Sequence, residues 1–345
     1  MNEDRSARYH RLRRRAAVGS ALAGVAWLVL LASTGWGSAL PAVVFIAILA
    51  LGWELVSFPF TFYRNYLLDR KYGLASESGR TWLTDHLKAL ALGLALSEIA
   101  GLGIYASMRI AGAAWWLASA GLFAVAGLLI SRVAPVLLMP IFYRFRPLDR
   151  EALCQRLITL SQKAGVPVLG AFEWGLGEKT TRANAALVGA GGSRRILVSD
   201  TLLKDYSEDE IEVILAHEIA HHVHHDMWTA LALETGVVAA SLLAAHVVLT
   251  LNGLAPSAVA SLPLLALVTA AVSLLLTPLG NAWSRHNERR ADRFALELTG
   301  RHDAFISAMR RLGAQNLAEP DPSRPVLWFF HTHPTIDERI AAARQ

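Results

Sequence analysis

Residues 213–226 read Val213-Ile-Leu-Ala-His-Glu-Ile-Ala-His-His-Val-His-His-Asp226 and contain an H-E-x-x-H motif. On a helix, residues four apart lie on one face, so His217 and His221 can offer two imidazole nitrogens to one metal ion. Glu218 is rotated by one residue from His217, so its carboxylate can face a metal-bound water without binding the metal. A zinc ion with three protein ligands keeps a position for water, whose pKa falls to about 7. The motif therefore predicts metal-assisted peptide hydrolysis.

The other histidines of this stretch have a plainer interpretation. Five histidines fall within nine residues, and His222, His224 and His225 are consistent with a polar helix end at a membrane surface. The H-E-x-x-H pattern also occurs without a metal. A third ligand elsewhere in the chain is therefore needed to support the metal site.

The composition is that of a membrane protein. Of the 345 residues, 54% are hydrophobic and 18% are charged, whereas an average soluble domain has about 25% charged residues. Six apolar segments are long enough to cross about 30 Å of hydrocarbon as helices. They are residues 16–35, 39–60, 87–108, 113–141, 227–250 and 262–281. We therefore expect a mainly α membrane protein with about six transmembrane helices.

The distribution of basic residues predicts the orientation. Six arginines crowd the first fifteen residues and the 61–88 loop is also basic, whereas the three short loops on the other side contain only Arg109. Because basic loops stay in the cytoplasm, we predict that both termini and residues 142–225 are cytoplasmic. The pI near 9.5 then reflects membrane topology, and we expect no nucleic-acid partner.

The chain divides at about residue 147, where the composition becomes that of a soluble domain. We expect an N-terminal membrane module with about four spans at residues 1–147. Residues 148–345 are expected to form a cytoplasmic, zincin-like α+β catalytic domain that includes the two later spans, about 227–250 and 262–281.

The catalytic domain has recognisable local patterns. Residues 149–164 predict an amphipathic helix. Three short strands are predicted at Val166–Trp174, Thr181–Val188 and Arg195–Ser199. Ser207-Glu-Asp-Glu210 is a capping box that starts the motif helix. We expect that helix to continue straight into the fifth span.

Glu288 and Asp292 follow the sixth span and lie four residues apart. An H-E-x-x-H zinc site needs a ligand from elsewhere, often a glutamate on a second helix, and Glu288 fits that role. Asp292 is placed to accept a hydrogen bond from the ring nitrogen of a ligand histidine that does not bind the metal. His286 is an alternative third ligand. The competing interpretation is a solvated helix, because arginines alternate with the acids.

The C-terminal His333 and Arg339 and the acidic residues within the spans each have two interpretations. His333 precedes a proline and Arg339 follows six residues later; near zinc this pair can stabilise an oxyanion, and otherwise it marks a turn and a helix start. Glu54, Glu98 and Glu234 lie within apolar spans. A carboxylate there is expected to face a protein interior or water, or else to be neutral or near the interface.

This combination resembles the type I CAAX prenyl endopeptidase family of integral-membrane zinc metalloproteases. The resemblance covers about residues 50–345. Besides the zinc motifs, it includes Phe58-Pro-Phe-Thr-Phe-Tyr-Arg64, Asp69-Arg-Lys-Tyr-Gly73, Thr84-Asp-His-Leu-Lys88, Pro140-Ile-Phe-Tyr-Arg-Phe-Arg-Pro-Leu148, Arg182-Ala-Asn-Ala-Ala186 and the segment from His333-Pro334 to Arg339.

The resemblance implies a set of roles for the site. One zinc ion per chain is expected on His217, His221 and Glu288, with Glu218 as general base and Asp292 supporting a ligand. It further implies that the spans enclose a large chamber. It also implies that Asn184 lies on an edge strand that pairs with an extended substrate peptide. His333 and Arg339 would contact the substrate carbonyl or the oxyanion.

The expected function is a membrane-embedded zinc endopeptidase acting at the cytoplasmic side on membrane-associated or CAAX-like proteins, with prenylation left open. The partners are then a peptide or protein substrate and the lipid bilayer. One alternative is a heat-shock-type quality-control zinc protease, which has the zinc motifs without the Phe-Pro-Phe and Lys-Tyr-Gly elements. Another is a metal-binding transporter or channel. Six spans and an Ala/Arg-rich composition favour a prokaryotic inner-membrane protein over one of the endoplasmic reticulum.

Overall fold

The computed structural model describes residues 4–189 and 191–345. Within them, six helical stretches are long and apolar enough to cross a membrane. They are Arg5–Ser33, Ala42–Lys71, Gly79–Ile110, Gly112–Phe142, Asp226–Leu251 and Val259–Thr299. Each overlaps one of the predicted spans, so the prediction of a mainly α protein with about six transmembrane helices is confirmed.

Seven α-helices form the first four spanning stretches and the connection between the first two. These are α1 (Arg5–Ser33), α2 (Trp36–Ala39), α3 (Ala42–Phe62), α4 (Leu68–Lys71), α5 (Gly79–Ile110), α6 (Trp115–Val133) and α7 (Met139–Phe142). π-Helical turns at Tyr63–Leu67 and Ala134–Leu138 join α3 to α4 and α6 to α7. Pro135 lies in the second turn, and Pro59 lies shortly before the first. A proline has no amide hydrogen for the α-helical ladder, which favours such local rearrangements.

The described residues that follow α7 contain four strands and eight α-helices. The strands are β1 (Phe145–Pro147), β2 (Ala171–Trp174), β3 (Ala185–Val188) and β4 (Arg195–Ser199). The helices are α8 (Glu151–Lys163), α9 (Asp200–Asp205), α10 (Glu208–Val223), α11 (Asp226–Leu251), α12 (Leu262–Thr299), α13 (His302–Gln315), α14 (Arg324–Phe330) and α15 (Ile336–Ala343).

The strands form one sheet in the order β1-β2-β4-β3. β2 and β4 are parallel, and the outer strands β1 and β3 run antiparallel to their neighbours. Each of the three predicted strands overlaps an observed one, but β1 was not predicted. It is three residues long and ends in Pro147, and so short a strand has no detectable alternation of side chains.

The spanning helices form a closed ring. Each helix packs against the next in the order α1, α3, α5, α6, α11 and α12, and α12 also packs against α1. Inside the ring lie adjoining cavities of ≈ 550, ≈ 480 and ≈ 470 Å³. Ile104 and Leu265 line both the ≈ 550 and the ≈ 480 Å³ cavity. Val238 and Ser273 line both the ≈ 480 and the ≈ 470 Å³ cavity. This interior is the chamber that the resemblance implied.

Two of the three membrane carboxylates line this chamber. Glu54 lines the largest cavity and lies 2.9 Å from His86 Nε2. Glu234 lines the cavity that reaches His221. The Oε1 atom of Glu98 is buried and has no hydrogen-bond partner among the described residues. The expectation of an enclosed or hydrated setting therefore holds for Glu54 and Glu234.

Helix α10 is the centre of the catalytic region. It packs against α8, β3, α12 and α13. Leu153, Leu157 and Leu160 of α8 face this core, as their spacing predicts. The predicted capping box is present, since Ser207 and Glu210 each bond the other's backbone amide. The motif helix is thus fixed at its start and buried along most of its length.

The expectation that the motif helix runs straight into the fifth span was wrong. α10 ends at Val223 and α11 begins at Asp226. His225 between them has a left-handed backbone with φ 57°, which cannot continue a right-handed helix. No glycine or proline marks this break in the sequence, so the helical pattern seemed continuous across it.

Candidate metal centre

His217 and His221 project from the same face of α10 toward α12. Their Nε2 atoms lie 3.3 Å apart. On α12, Glu288 Oε2 is 3.2 Å from His217 Nε2, and Glu288 Oε1 is 3.5 Å from His221 Nε2. One ligand atom from each of the three residues lies within 4.8 Å of the others. The structure thus brings together the three predicted zinc ligands.

The carboxylate of Glu288 has an unsatisfied buried atom. Its Oε2 makes no hydrogen bond with any described residue, and the whole residue is only 6% exposed. A buried carboxylate oxygen without a donor is costly unless a cation compensates it. His286, the alternative ligand, is exposed and its ring lies near Trp283. The donor set therefore fits a cation on Glu288.

Each histidine is held by a carboxylate behind it. His217 Nδ1 is hydrogen bonded to Asp292 Oδ1 at 2.9 Å, and His221 Nδ1 to Asp226 Oδ2 at 2.8 Å. A proton on Nδ1 leaves the Nε2 lone pair of both rings free for a metal. Asp292 was predicted for this position, whereas Asp226 was missed. Asp226 reaches His221 only because the chain turns at His225.

The electrostatics of the site also favour a cation. Burial acts to lower the pKa of His217, but Asp292 and Glu288 outweigh it and raise that pKa to about 9. A metal ion takes the place of such a proton when it binds a histidine. The carboxylate of Glu288 and two imidazoles meet at one point, with the carboxylate of Asp292 behind His217, and together they form a site for a divalent cation.

Glu218 is partly exposed and lies one residue from the first ligand. Burial of its carboxyl raises the pKa of Glu218 above the usual value, and the neighbouring His217 and His221 offset part of this rise. A general base works best when its pKa approaches the working pH. The carboxyl of Glu218 can therefore both accept and release a proton.

His333 and Arg339 reach the site from the C-terminal segment. His333 is in the turn between α14 and α15, its side chain is 61% exposed, and its Nε2 lies 3.4 Å from Glu288 Oε1. Arg339 on α15 is directed at Asp292 instead, with Nε–Oδ2 and Nη2–Oδ1 distances of 2.8 and 2.6 Å. In this structure Arg339 thus holds the carboxylate that holds His217.

Asn184 lies immediately before β3, at the edge of the sheet. Its backbone bonds Ser199 on β4, with N–Oγ and O–N distances of 3.0 and 2.9 Å. Because backbone groups alternate in direction along an antiparallel strand, Ala185 and Leu187 direct theirs to the free edge. A cavity of ≈ 410 Å³ is lined by Leu187 and Val188 at the end of this strand and by His221.

Comparison with known proteins agrees with this geometry. Residues 147–345 match the model of peptidase family M48, which is more than half of the chain. The chain belongs to peptidase family M48. Residues 17–144 match a second model, described as CAAX prenyl protease N-terminal, five membrane helices. As a family M48 member with spanning helices, the protein is a membrane metalloendopeptidase.

Several relatives are similar to this protein over most of its length. Uncharacterized metalloprotease YhfN of Bacillus subtilis is 29% identical over 320 residues, covering 89% of this chain and 74% of that protein. Probable CAAX prenyl protease 1 of Schizosaccharomyces pombe is 27% identical over 309 residues, covering 87% and 65%. The crystal structure of S. mikatae Ste24p matches with a TM-score of 0.82 at 20% identity, over 98% of this chain and 87% of that one. That match establishes the same fold.

Proposed function

We propose that this protein hydrolyses peptide bonds of membrane-associated substrates with one zinc ion per chain, held by His217, His221 and Glu288. The observation that carries the proposal is the meeting of these three ligand atoms around the unsatisfied Oε2 of Glu288. Zinc is the metal that membership of family M48 implies. When bound, it would supply Lewis acidity and a water with a pKa of about 7.

The residues around the site have distinct roles. Glu218 takes the proton of the attacking water on its carboxylate and passes it to the leaving amide nitrogen. His333 is exposed beside Glu288 and faces the substrate carbonyl, where it donates a hydrogen bond. Arg339 acts through Asp292, which fixes the ring and the proton of His217. The family resemblance implies a contact of Arg339 with the substrate carbonyl or oxyanion, whereas its hydrogen bonds to Asp292 favour the positioning role.

The substrate is held by the free edge of β3. An extended peptide there pairs with the outward backbone groups of Ala185 and with the amide of Leu187, while Asn184 sets the start of the strand. His222 Nε2 donates to Leu187 O over 2.8 Å, so that carbonyl is already occupied. Pairing is therefore limited to the part of the edge before Leu187 O.

The metal centre lies between two cavities, and this favours a substrate that comes from the membrane. His221 lines both the cavity along β3 and the cavity that opens into the ring. The names of the yeast relatives, CAAX prenyl protease 1, support a CAAX-like substrate over the heat-shock-type alternative. The basic loops support a cytoplasmic position for the site and both termini, and a prokaryotic inner membrane fits the six spans.

The test is a Glu218→Gln variant in detergent and in proteoliposomes. We expect proteolysis to be lost while one zinc ion per chain remains bound, because only the proton acceptor has changed. Glu297→Gln, an exposed glutamate on α12, is the matched control and should keep full activity. Substrates are membrane-anchored, farnesylated and unmodified peptides of one sequence, with cleavage followed by mass spectrometry. Full activity of Glu218→Gln would refute the assigned base.

A further inference from the structure

The cavity beside β3 and the cavity that opens into the ring meet at His221 but differ in charge. Two arginines line the cavity beside β3, Arg132 near the end of α6 and Arg194 just before β4. Its described lining residues include no aspartate or glutamate. The described lining of the other cavity has no arginine or lysine and includes three carboxylates, those of Asp226, Glu234 and Glu288. An anionic group near the metal centre is therefore favoured in the cavity beside β3.

Arg132 is the one charged residue in the spanning stretch Gly112–Phe142. A charged side chain within a spanning segment is expensive, so it is expected to face a cavity or a partner. Arg132 lines the cavity and is exposed. It forms no hydrogen bond or ion pair with the part of the chain that the structure describes. Its guanidinium is therefore available to an anion in the cavity.

Arg194 also lacks a partner. Its side chain is half-buried, and its Nε is buried with no acceptor among the described residues. A buried donor that makes no hydrogen bond is costly. The planar guanidinium matches a carboxylate, which can accept two parallel hydrogen bonds from it. A carboxylate in the cavity would therefore satisfy a group that the protein leaves unsatisfied.

We propose that this cavity binds a carboxylate of the peptide substrate, an acidic side chain or the free C-terminus, through Arg132 and Arg194. The metal ligand His221 and Leu187 on the edge strand line the same cavity, so its occupant lies beside the bond that is cleaved. This favours the substrate over a lipid as the source of the anion. The proposal rests on the proposed function, and it makes the two arginines determinants of specificity.

The test measures peptide binding to the zinc-loaded Glu218→Gln protein, in which hydrolysis is expected to be blocked. One membrane-anchored peptide carries Glu, Gln or Lys at each position in turn, with a free or an amidated C-terminus. Kd is measured by fluorescence anisotropy in a neutral detergent, before and after adding Arg132→Gln, Arg132→Glu, Arg194→Gln or Arg194→Glu. Arg146→Glu is the matched control, because Arg146 is exposed on β1 at the opposite edge of the sheet.

We expect Glu at one position, or the free C-terminus, to lower Kd about tenfold relative to Gln or the amide, as a charge-assisted hydrogen bond does. Each arginine-to-glutamine change should reduce this ratio, and Arg146→Glu should keep it. At a side-chain position, Arg132→Glu and Arg194→Glu should reverse the preference toward Lys. A preference at one peptide position identifies an acidic side chain as the ligand, and a preference for the free acid identifies the C-terminus.

Equal Kd values for the acidic, neutral and basic peptides, with both arginines intact, would overturn the proposal without any arginine variant. A preference that survives all four arginine substitutions would place its origin elsewhere and overturn it too. If Arg132→Glu and Arg194→Glu instead release bound phosphatidylglycerol and leave peptide binding unchanged, the cavity holds a lipid phosphate and the proposal is wrong. The kinetic test of Glu218 does not depend on these ratios, so failure of the proposed hydrolysis can be told apart from failure of this proposal.

Discussion

At the scale of single residues, the metal centre depends on the carboxylates behind its histidines. Asp292 and Asp226 each accept a hydrogen bond from one ring Nδ1. Each is in turn held by an arginine, Asp292 by Arg339 and Asp226 by Arg290. The two arginines neutralise carboxylates that are almost completely buried. The rings are therefore fixed in orientation before a metal arrives.

Asp226→Ala removes the acceptor behind His221. We expect zinc affinity to fall by about 10–100-fold, the usual loss when such a partner of a metal ligand is removed. The measurement is competition with a chromophoric chelator. Asp303→Ala is the matched control, since Asp303 is also an acid in the first turn of a helix but is exposed. Equal affinity of Asp226→Ala and the unaltered protein would show that Asp226 has no part in positioning His221.

Arg339→Lys keeps the charge but loses the two parallel bonds to Asp292, because an ammonium group cannot form them in this geometry. We expect zinc affinity and kcat/KM to decrease together, on the order of tenfold or more. Arg344→Lys, at the exposed end of α15, should change neither. A lower kcat with unchanged zinc affinity would contradict the positioning role and restore the oxyanion contact that the sequence predicted.

At the scale of elements, the break between α10 and α11 determines the geometry around His221. The break depends on the left-handed backbone of His225, which glycine adopts without strain and a β-branched residue resists. His225→Val is therefore expected to lower the thermal unfolding temperature, at a cost of about 1–2 kcal/mol. His225→Gly is the matched control and should unfold at or above the temperature of the unaltered protein. Because the side chain is exposed, no buried contact is lost in either variant, and equal destabilisation by both would refute the backbone explanation.

The same elements show how far the sequence could predict the site. The spans follow from the length of their apolar runs, and the pairing of His217 with His221 follows from helical spacing. Glu288 could be anticipated because an H-E-x-x-H site lacks one ligand. Asp226 could not, since it depends on a turn at a residue that gives no turn signal. The hydrogen bonds from Arg339 to Asp292 could not be predicted either, because they depend on how α15 packs against α12.

At the scale of the whole molecule, the catalytic region is fastened to the membrane module by buried polar contacts. Tyr9 Oη donates to Asp69 Oδ1 over 2.6 Å, and Arg182, two residues before Asn184, donates to the same tyrosine over 2.7 Å. Farther along α1, Arg14 binds Glu319 through both carboxylate oxygens. The N-terminal helix therefore contacts both the start of the substrate-binding edge and the segment that leads to His333.

The metal should stabilise this whole assembly, because its ligands come from α10 and from the long helix that closes the ring. A ligand that binds only the folded state at about a hundredfold its Kd adds about 2.7 kcal/mol to the free energy of unfolding. We therefore expect zinc to raise the unfolding temperature of the metal-free protein in detergent, measured at one scan rate. Glu288→Gln should lose most of this increase, whereas Glu297→Gln, on the same helix and exposed, should keep it. An undiminished increase in Glu288→Gln would place the zinc elsewhere, and the ring would then owe none of its stability to a bond between α10 and α12.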